Sequence, residues 1–171
     1  MTMAGYTYLL LSLLLSLCFH HVCSLVPSFR KATSNDVFLA RKILVQEAMN
    51  PISISTRTLL VAHYDQSNAM IGFGQIRPLN IEYSELASLY VLPDYRQQGV
   101  GSALVKELLA RHEDDTKVCL LTLKPTMSFY EMHGFVCIKS LEDLPSILKF
   151  EFKVGSLISS FLGNDLVCMV R

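Results

Sequence analysis

The chain contains no tryptophan, and only 8 glycines and 6 prolines are spread over its 171 residues. So few breakers exclude a collagen-like or low-complexity chain and leave room for regular helices and strands. Charge of either sign is not in excess: 15 basic residues face 15 acidic ones. That balance excludes the basic footprint of a nucleic-acid-binding protein and the acidic bias of a disordered tail. The cysteines form no CxxC pair, and none of His63, His112 and His133 stands at metal-ligand spacing, so no metal site is expected. Cys119, Cys137 and Cys168 each lie in an apolar run, where a free cysteine behaves as a small buried hydrophobe; a disulfide between two of them is the alternative in an oxidising compartment. Neither an internal repeat nor a metal motif is present, so specificity has to come from a local site.

What is present is apolar sequence. Half of the residues are hydrophobic, enough to fill one core in one domain of this length. The first apolar run is set apart from the rest. "YLLLSLLLSLCF", Tyr8 to Phe19, has the length of a signal-peptide core and is short for a bilayer span. Val22 and Ser24 supply the small-residue pattern that a signal peptidase cuts after. Residues 1–24 are therefore expected to be a targeting segment, cleaved or kept as an anchor, and the folded domain is expected over 28–171. Membrane contact is expected only through that segment if it stays uncleaved.

Periodicity then sets out the elements. Ser28–Ala32 reads as a strand. Thr33–Met49 reads as a helix capped by Thr33, Ser34 and Asn35, with Val37, Leu39, Ile43, Leu44 and Ala48 on its apolar face and Asn50–Pro51 as its stop. Thr58–Tyr64 and Ala69–Leu79 read as a hairpin around a turn at Asp65–Asn68, and Tyr83–Val91 as a third strand. A helix after Gly101 buries Ala103, Leu104, Leu108 and Leu109. Val118–Leu123 reads as a central strand, Thr126–His133 as a short helix ended by Gly134, and Phe135–Lys139 as a strand. Between Leu144 and Leu162 two periods compete, since Leu148, Phe150, Phe152 and Val154 alternate. Pro145 at the start and Gly163–Asn164 at the stop favour helix. Leu166–Val170 closes the chain as a strand. Together these predict an α/β fold, a mixed and mostly antiparallel sheet of about seven strands flanked by helices.

The junction "LYVLPDYRQQGVGSALV" carries the chemistry. A helix N-terminus leaves its first N–H groups without partners, and the aligned peptide dipoles make that end positive. Side chains at 99 and 101 would hold a phosphate off the backbone, whereas Gly99 and Gly101 let it approach. The run Arg96, Gln97, Gln98, Gly99, Val100, Gly101 and Ser102 thus reads as a phosphate cradle with Arg96 as an added positive charge. It is not a Walker A loop, because the GK[ST] ending is missing. Nor is it a dinucleotide fingerprint, because Leu104 stands where the third glycine belongs.

This stretch resembles the signature of the GNAT superfamily of acyl-CoA N-acyltransferases. A strand runs into V-x-P at Val91–Pro93, and (Q/R)-x-x-G-x-(G/A) follows at Arg96–Gly101. A second element, "FYEMHGF" from Phe129 to Phe135, resembles the family's FYExxGF. The resemblance covers about Ser28 to Val170 and implies acetyl-CoA as co-substrate. Amides from about Gln98 to Ser102 would hold its pyrophosphate, and its pantetheine arm would lie along Leu89, Tyr90 and Val91 like an added strand. Basic residues are common in the family where Gln97 and Gln98 stand here, which implies a weaker hold. Acetyl transfer would proceed by direct attack of an amine in a ternary complex, with the oxyanion held by a backbone N–H near Tyr90.

Such a reaction needs a base for the ammonium and an acid for the thiolate. Tyr130 is the candidate acid and Glu85 the candidate base, with Ser84 and His63 as weaker alternatives. Strand alternation places Glu85 on the face of Ala87 and Leu89, opposite Leu86 and Ser88. His112 is expected at a helix C-terminus and His133 in a turn. The acceptor would be a small-molecule or protein amine, read by Asn50–Ser55, the 78–83 segment and the tail. The competing function is a non-catalytic acyl-CoA-binding module. The "CSLVPSF" junction resembles bipartite plastid presequences, so the plastid and the endoplasmic-reticulum lumen are both open as destinations.

Overall fold

The computed structural model describes residues 26–171 except 65, 66, 114, 139, 141, 143, 162 and 164, with the backbone alone at 158–161. The expected targeting segment 1–24 lies outside the described residues, as do Asp65 of the turn, Lys139 of the sixth strand, Leu162 at the helix end and Asn164 at its stop.

Among the described residues seven strands and four helices follow one another: β1 (Ser28–Lys31), α1 (Ser34–Gln46), β2 (Leu59–His63), β3 (Met70–Pro78), β4 (Tyr83–Val91), α2 (Val100–Ala110), β5 (Lys117–Leu123), α3 (Met127–Glu131), β6 (Val136–Cys137), α4 (Ser146–Phe161) and β7 (Leu166–Val170). They form one sheet in the order β1-β2-β3-β4-β5-β7-β6. Every neighbouring pair is antiparallel except β4 and β5. A parallel pair needs a crossover, and α2 supplies it.

Helix α1 starts where the cap residues predict. Thr33 accepts from the Asp36 N–H, and the Asp36 carboxylate accepts from the Thr33 N–H at 2.7 Å. Arg30 on β1 grips the same carboxylate at 2.6 and 3.1 Å, which with the Thr33 contacts holds Asp36 down to about 2. Val37, Ala40, Ile43 and Leu44 are buried as expected of a 3.6-residue repeat. Two assigned core positions are corrected. Leu39 sits about 100° round from Ala40 and is 41% exposed. Ala48 lies past the helix in a left-handed turn and is exposed.

In α2 the fully buried stripe is Val100, Leu104, Val105 and Leu108; Leu109 is half-buried against the same core as Val105, and Ala103 is half-buried. Gly72 and Gly74 on β3 let this helix lie close, since a Cβ at either would stand 3.0–3.2 Å from Leu108 or Leu104. Between Leu144 and Leu162 the helix reading holds. Leu148 and Phe152 point into the core, while Phe150 and Val154 point out. The apparent alternation is thus two helical i, i+4 pairs on opposite sides of α4.

Helices α1 and α4 cover one face of the sheet and α2 and α3 the other. All three described cysteines are free thiols. Cys119 and Cys168 are buried, but Cys137 is exposed, because β6 is a two-residue edge strand whose side chains no element covers.

Candidate active site

Strands β4 and β5 pair only at their starts. Tyr83, Ser84 and Glu85 meet Lys117, Val118 and Cys119, and beyond them the strands run on to Val91 and Leu123 without further pairing. The strands separate, and a gap opens between Leu86–Val91 and Leu120–Leu123. A backbone irregularity accompanies it. Ser88 has a left-handed φ of 56°, and the β3–β4 register shifts between Phe73 and Gln75. This is a β-bulge in the middle of a strand.

The bulge alters which side chains share a face, and this corrects the simple alternation. Before it, Glu85 and Ala87 lie with Arg77 and Gln75 on the α1/α4 face. After it, Tyr90 takes that face, stacked on Phe73 at 5.7 Å, and its hydroxyl donates to Glu47 at 2.9 Å. Leu89 packs with Leu86 on the α2/α3 face, not with Glu85.

Main-chain directions follow. The Leu92 N–H donates to the Ile71 carbonyl at 2.9 Å, and the Tyr90 carbonyl is turned against Gly72. Alternation therefore directs the main-chain groups of Leu89 and Val91 into the gap and those of Tyr90 toward β3. The Val91 carbonyl accepts from Arg96 Nε at 3.0 Å, as a gap-facing group should. Arg96 is folded back over β4, its guanidinium 5.2 Å from the Tyr90 ring centre, so its charge sits at the mouth of the gap.

Beyond Val91 a 3₁₀ turn at Pro93–Tyr95 leads to two left-handed residues, Gln97 at φ 60° and Gly99 at φ 80°. Gln98 braces the loop by donating to the Asp94 carbonyl at 2.8 Å. Gly99 is the N-cap of α2, and the first intrahelical bond runs from the Ala103 N–H to the Gly99 carbonyl at 2.9 Å. The amides of Val100, Gly101 and Ser102 precede it and emerge at the helix end, and no acidic residue occupies the first turn. Nothing lies within 4 Å of where a Gly99 side chain would begin. The cradle is bare backbone at a positive helix end, a fit for a diphosphate.

Tyr130 and Glu85 stand on opposite faces of the sheet with the gap between them. Tyr130 comes from α3, edge-on to Phe129 and Phe135, in the cluster that also holds Leu86 and Leu89. Burial pushes its phenol up to about 12, against a weaker opposing hydrogen bond from Thr122. Glu85 is 5% exposed and paired to Arg77, whose Nε and Nη2 lie 2.8 and 2.6 Å from its Oε2. Burial dominates and pushes this carboxyl up to about 6; Arg77 pulls it back, and Glu151 raises it. Ser84 is buried on the other face, bonded to Thr116, and His63 Nδ1 is buried without a partner at the end of β2. His112 bonds Thr116 just beyond the C-terminus of α2, and His133 sits in the turn after α3, 3.2 Å from Ser102 Oγ.

Four participants escaped the sequence reading. Gln75 is fully buried and donates to Ser88 Oγ at 3.3 Å while accepting from Thr58 at 2.7 Å, which pins the bulge. Arg77 and Glu151 hold Glu85 in a three-membered ionic cluster. The signal for Gln75 and Arg77 was there: two polar residues two apart in an apolar strand share one face. For Glu151 and Ser88 no local signal exists.

A mixed sheet split between β4 and β5, with a glycine-capped helix at the mouth of the split, defines the acyl-CoA N-acyltransferase fold. Residues 55–137 match the family model of the acetyltransferase (GNAT) domain. The fold is similar to that of Rv2747 from Mycobacterium tuberculosis, solved in complex with CoA and NLQ, at 23% identity and a TM-score of 0.65, over 85% of this chain and 99% of that one. It is similar to Ard1 from Thermoplasma volcanium at 17% identity and a TM-score of 0.59, over 85% and 96% of the two chains. It also matches N-acetylglutamate synthase from Neisseria gonorrhoeae complexed with coenzyme A and N-acetyl-glutamate, at 17% identity and a TM-score of 0.66, over 85% of this chain. This chain spans 35% of that synthase. No curated protein sequence matches the chain.

Proposed function

We propose that the protein is an N-acetyltransferase that moves an acetyl group from acetyl-CoA to a primary amine, of a small molecule or a protein, by direct attack in a ternary complex. One observation carries the reading: the free edge of β4 leads from the bulge at Ser88 to the bare amides of α2, so one thioester ligand can be held along its whole length. Leu89 and Val91 offer main-chain groups to the arm, and Gln98 to Ser102 hold the diphosphate beside Arg96. The Leu89 N–H, next to the bulge on the gap side, is the donor for the oxyanion.

The two side chains divide the proton work. An alkylammonium with a pKa of about 10 has no free lone pair at neutral pH. Glu85, reached through a water, takes its proton, and the freed nitrogen bonds the acyl carbon. The C–S bond breaks as the Tyr130 hydroxyl gives its proton to the departing sulfur, and the second proton of the attacking nitrogen, acidic once that nitrogen is bonded to the acyl carbon, passes through water to the Tyr130 phenolate and leaves the neutral amide. A phenol held at about 12 is fully protonated at neutral pH and suits that role. Residues 1–24 are proposed to direct the chain into the secretory route, toward the plastid or the endoplasmic-reticulum lumen, where a tagged full-length chain would be seen. Among the described residues no helix is long and apolar enough to cross a membrane.

The test is release of CoA thiol from acetyl-CoA with a panel of primary amines. Turnover that falls in both Tyr130→Phe and Glu85→Gln supports the assignment. CoA binding without turnover on any amine would instead identify an acyl-CoA-binding module.

A further inference from the structure

Arg77 stands between two carboxylates from distant parts of the chain. Its Nη2 lies 2.6 Å from Glu85 Oε2 and 2.9 Å from Glu151 Oε1. The same nitrogen donates to Glu151 Oε2 at 3.1 Å, and Nε is given to Glu85. Glu151 belongs to α4, and it also accepts from Asn50 Nδ2 at 3.3 Å. Asn50 opens the 50–55 loop, which was assigned to acceptor reading from the sequence. A line of contacts thus runs from that loop through α4 to the carboxylate on β4.

One guanidinium facing one buried carboxylate would keep it ionised and a poor proton acceptor. A second carboxylate on the same guanidinium splits the charge. We propose that Arg77 and Glu151 are positioning residues for Glu85: Arg77 fixes the carboxylate at the gap, and Glu151, delivered by α4, draws off enough of the Arg77 charge to leave Glu85 basic. The charged groups acting on Glu85 are these two. The other titratable neighbours, Cys119 on β5 and Cys168 on β7, are thiols pushed up to about 12 by burial, so they stay neutral. Anything that moves α4 or the Asn50 loop, including an acceptor that binds there, would then change how tightly Arg77 holds the base. The proposal rests on Glu85 being the base, and its test separates the two ideas.

The direct readout is the Glu85 carboxyl itself, followed by 13C NMR titration of glutamate-labelled protein and assigned with Glu85→Gln. Glu151→Gln, a nearly isosteric change at a half-buried position, should lower the Glu85 midpoint by about one pH unit, since the full Arg77 charge then falls on it. Arg77→Gln should raise the midpoint, and Glu151→Asp should keep it near the parent value. Midpoints that stay put in Glu151→Gln, or that move upward, overturn the proposal even if Glu85→Gln abolishes turnover. If the midpoints move in opposite directions while the acid limb of the thiol-release profile does not follow, the ionic cluster stands and the assignment of Glu85 as base falls.

Discussion

Tyr130→Phe removes one hydroxyl from a side chain that keeps its contacts with Phe129 and Phe135. Turnover should fall by about 10²-fold or more, as expected for loss of a general acid, with CoA affinity unchanged. Stopped-flow thiol release and calorimetry measure the two separately. The glycines allow a finer separation. A Cβ at Gly101 would meet Phe129 and Val91 at 3.5 and 3.6 Å, ordinary contact. Gly101→Ala should therefore bind CoA, while Gly101→Val should fold, as thermal melting would show, and lose binding. Gly99 is different, because it has open space but a φ of 80°. Gly99→Ala should cost about 1–2 kcal/mol of strain without any clash. Both glycines were legible in the sequence as the entry to a helix. For Gln75 the face shared with Arg77 was legible but the partners were not, because nothing local says that it will find Thr58 on one side and Ser88 on the other.

At the level of single elements the caps decided most. The Thr33–Asp36 capping box starts α1 where the sequence places it, and Arg30 adds a tertiary hold on the same carboxylate. Asp36 is lowered from 3.8 to about 2, so its contribution is complete above pH 3.8 and is lost as pH falls through 2. Asp36→Asn should cost about 2 kcal/mol in urea unfolding at pH 7 and almost nothing near pH 2. Helix α4 was legible for the same reason, through Pro145 and the glycine stop. Its inward and outward stripes were harder to read, because two i, i+4 pairs interleave into a false period of two. Strand β4 shows the opposite failure. Its length was legible, but its faces were not, because a bulge held by Gln75 on the neighbouring strand leaves no mark in the local pattern.

For the molecule as a whole, the buried ionic cluster at Glu85 should make stability respond to pH in one sense, and the base role proposed for Glu85 should make activity respond in the other. The Glu85 carboxyl is raised from 4.5 to about 6. Its stabilising effect is complete below pH 4.5 and lost as pH rises through 6, whereas it can accept a proton only once ionised. Activity should therefore climb through about pH 6 on the acid limb. Between pH 4 and pH 7 the stability of Glu85→Gln should improve against the parent by about 2 kcal/mol, because glutamine mimics the protonated acid. Matched urea titrations at the two pH values measure this. No such coupling can be read from a linear chain, since Arg77 and Glu85 lie on adjoining strands and Glu151 comes from a helix that follows β6.

Order of elements, the glycine-capped helix and the Phe129–Phe135 element are local facts. Each rests on propensities, caps and periods that act over a few residues, so they were readable in one dimension. The opening between β4 and β5, the side of the sheet on which Glu85 falls and the pairing of its charge rest on register and on contacts between residues far apart in the chain. Those follow from how a bulged strand and a late helix pack together, and packing is settled only when the whole core closes.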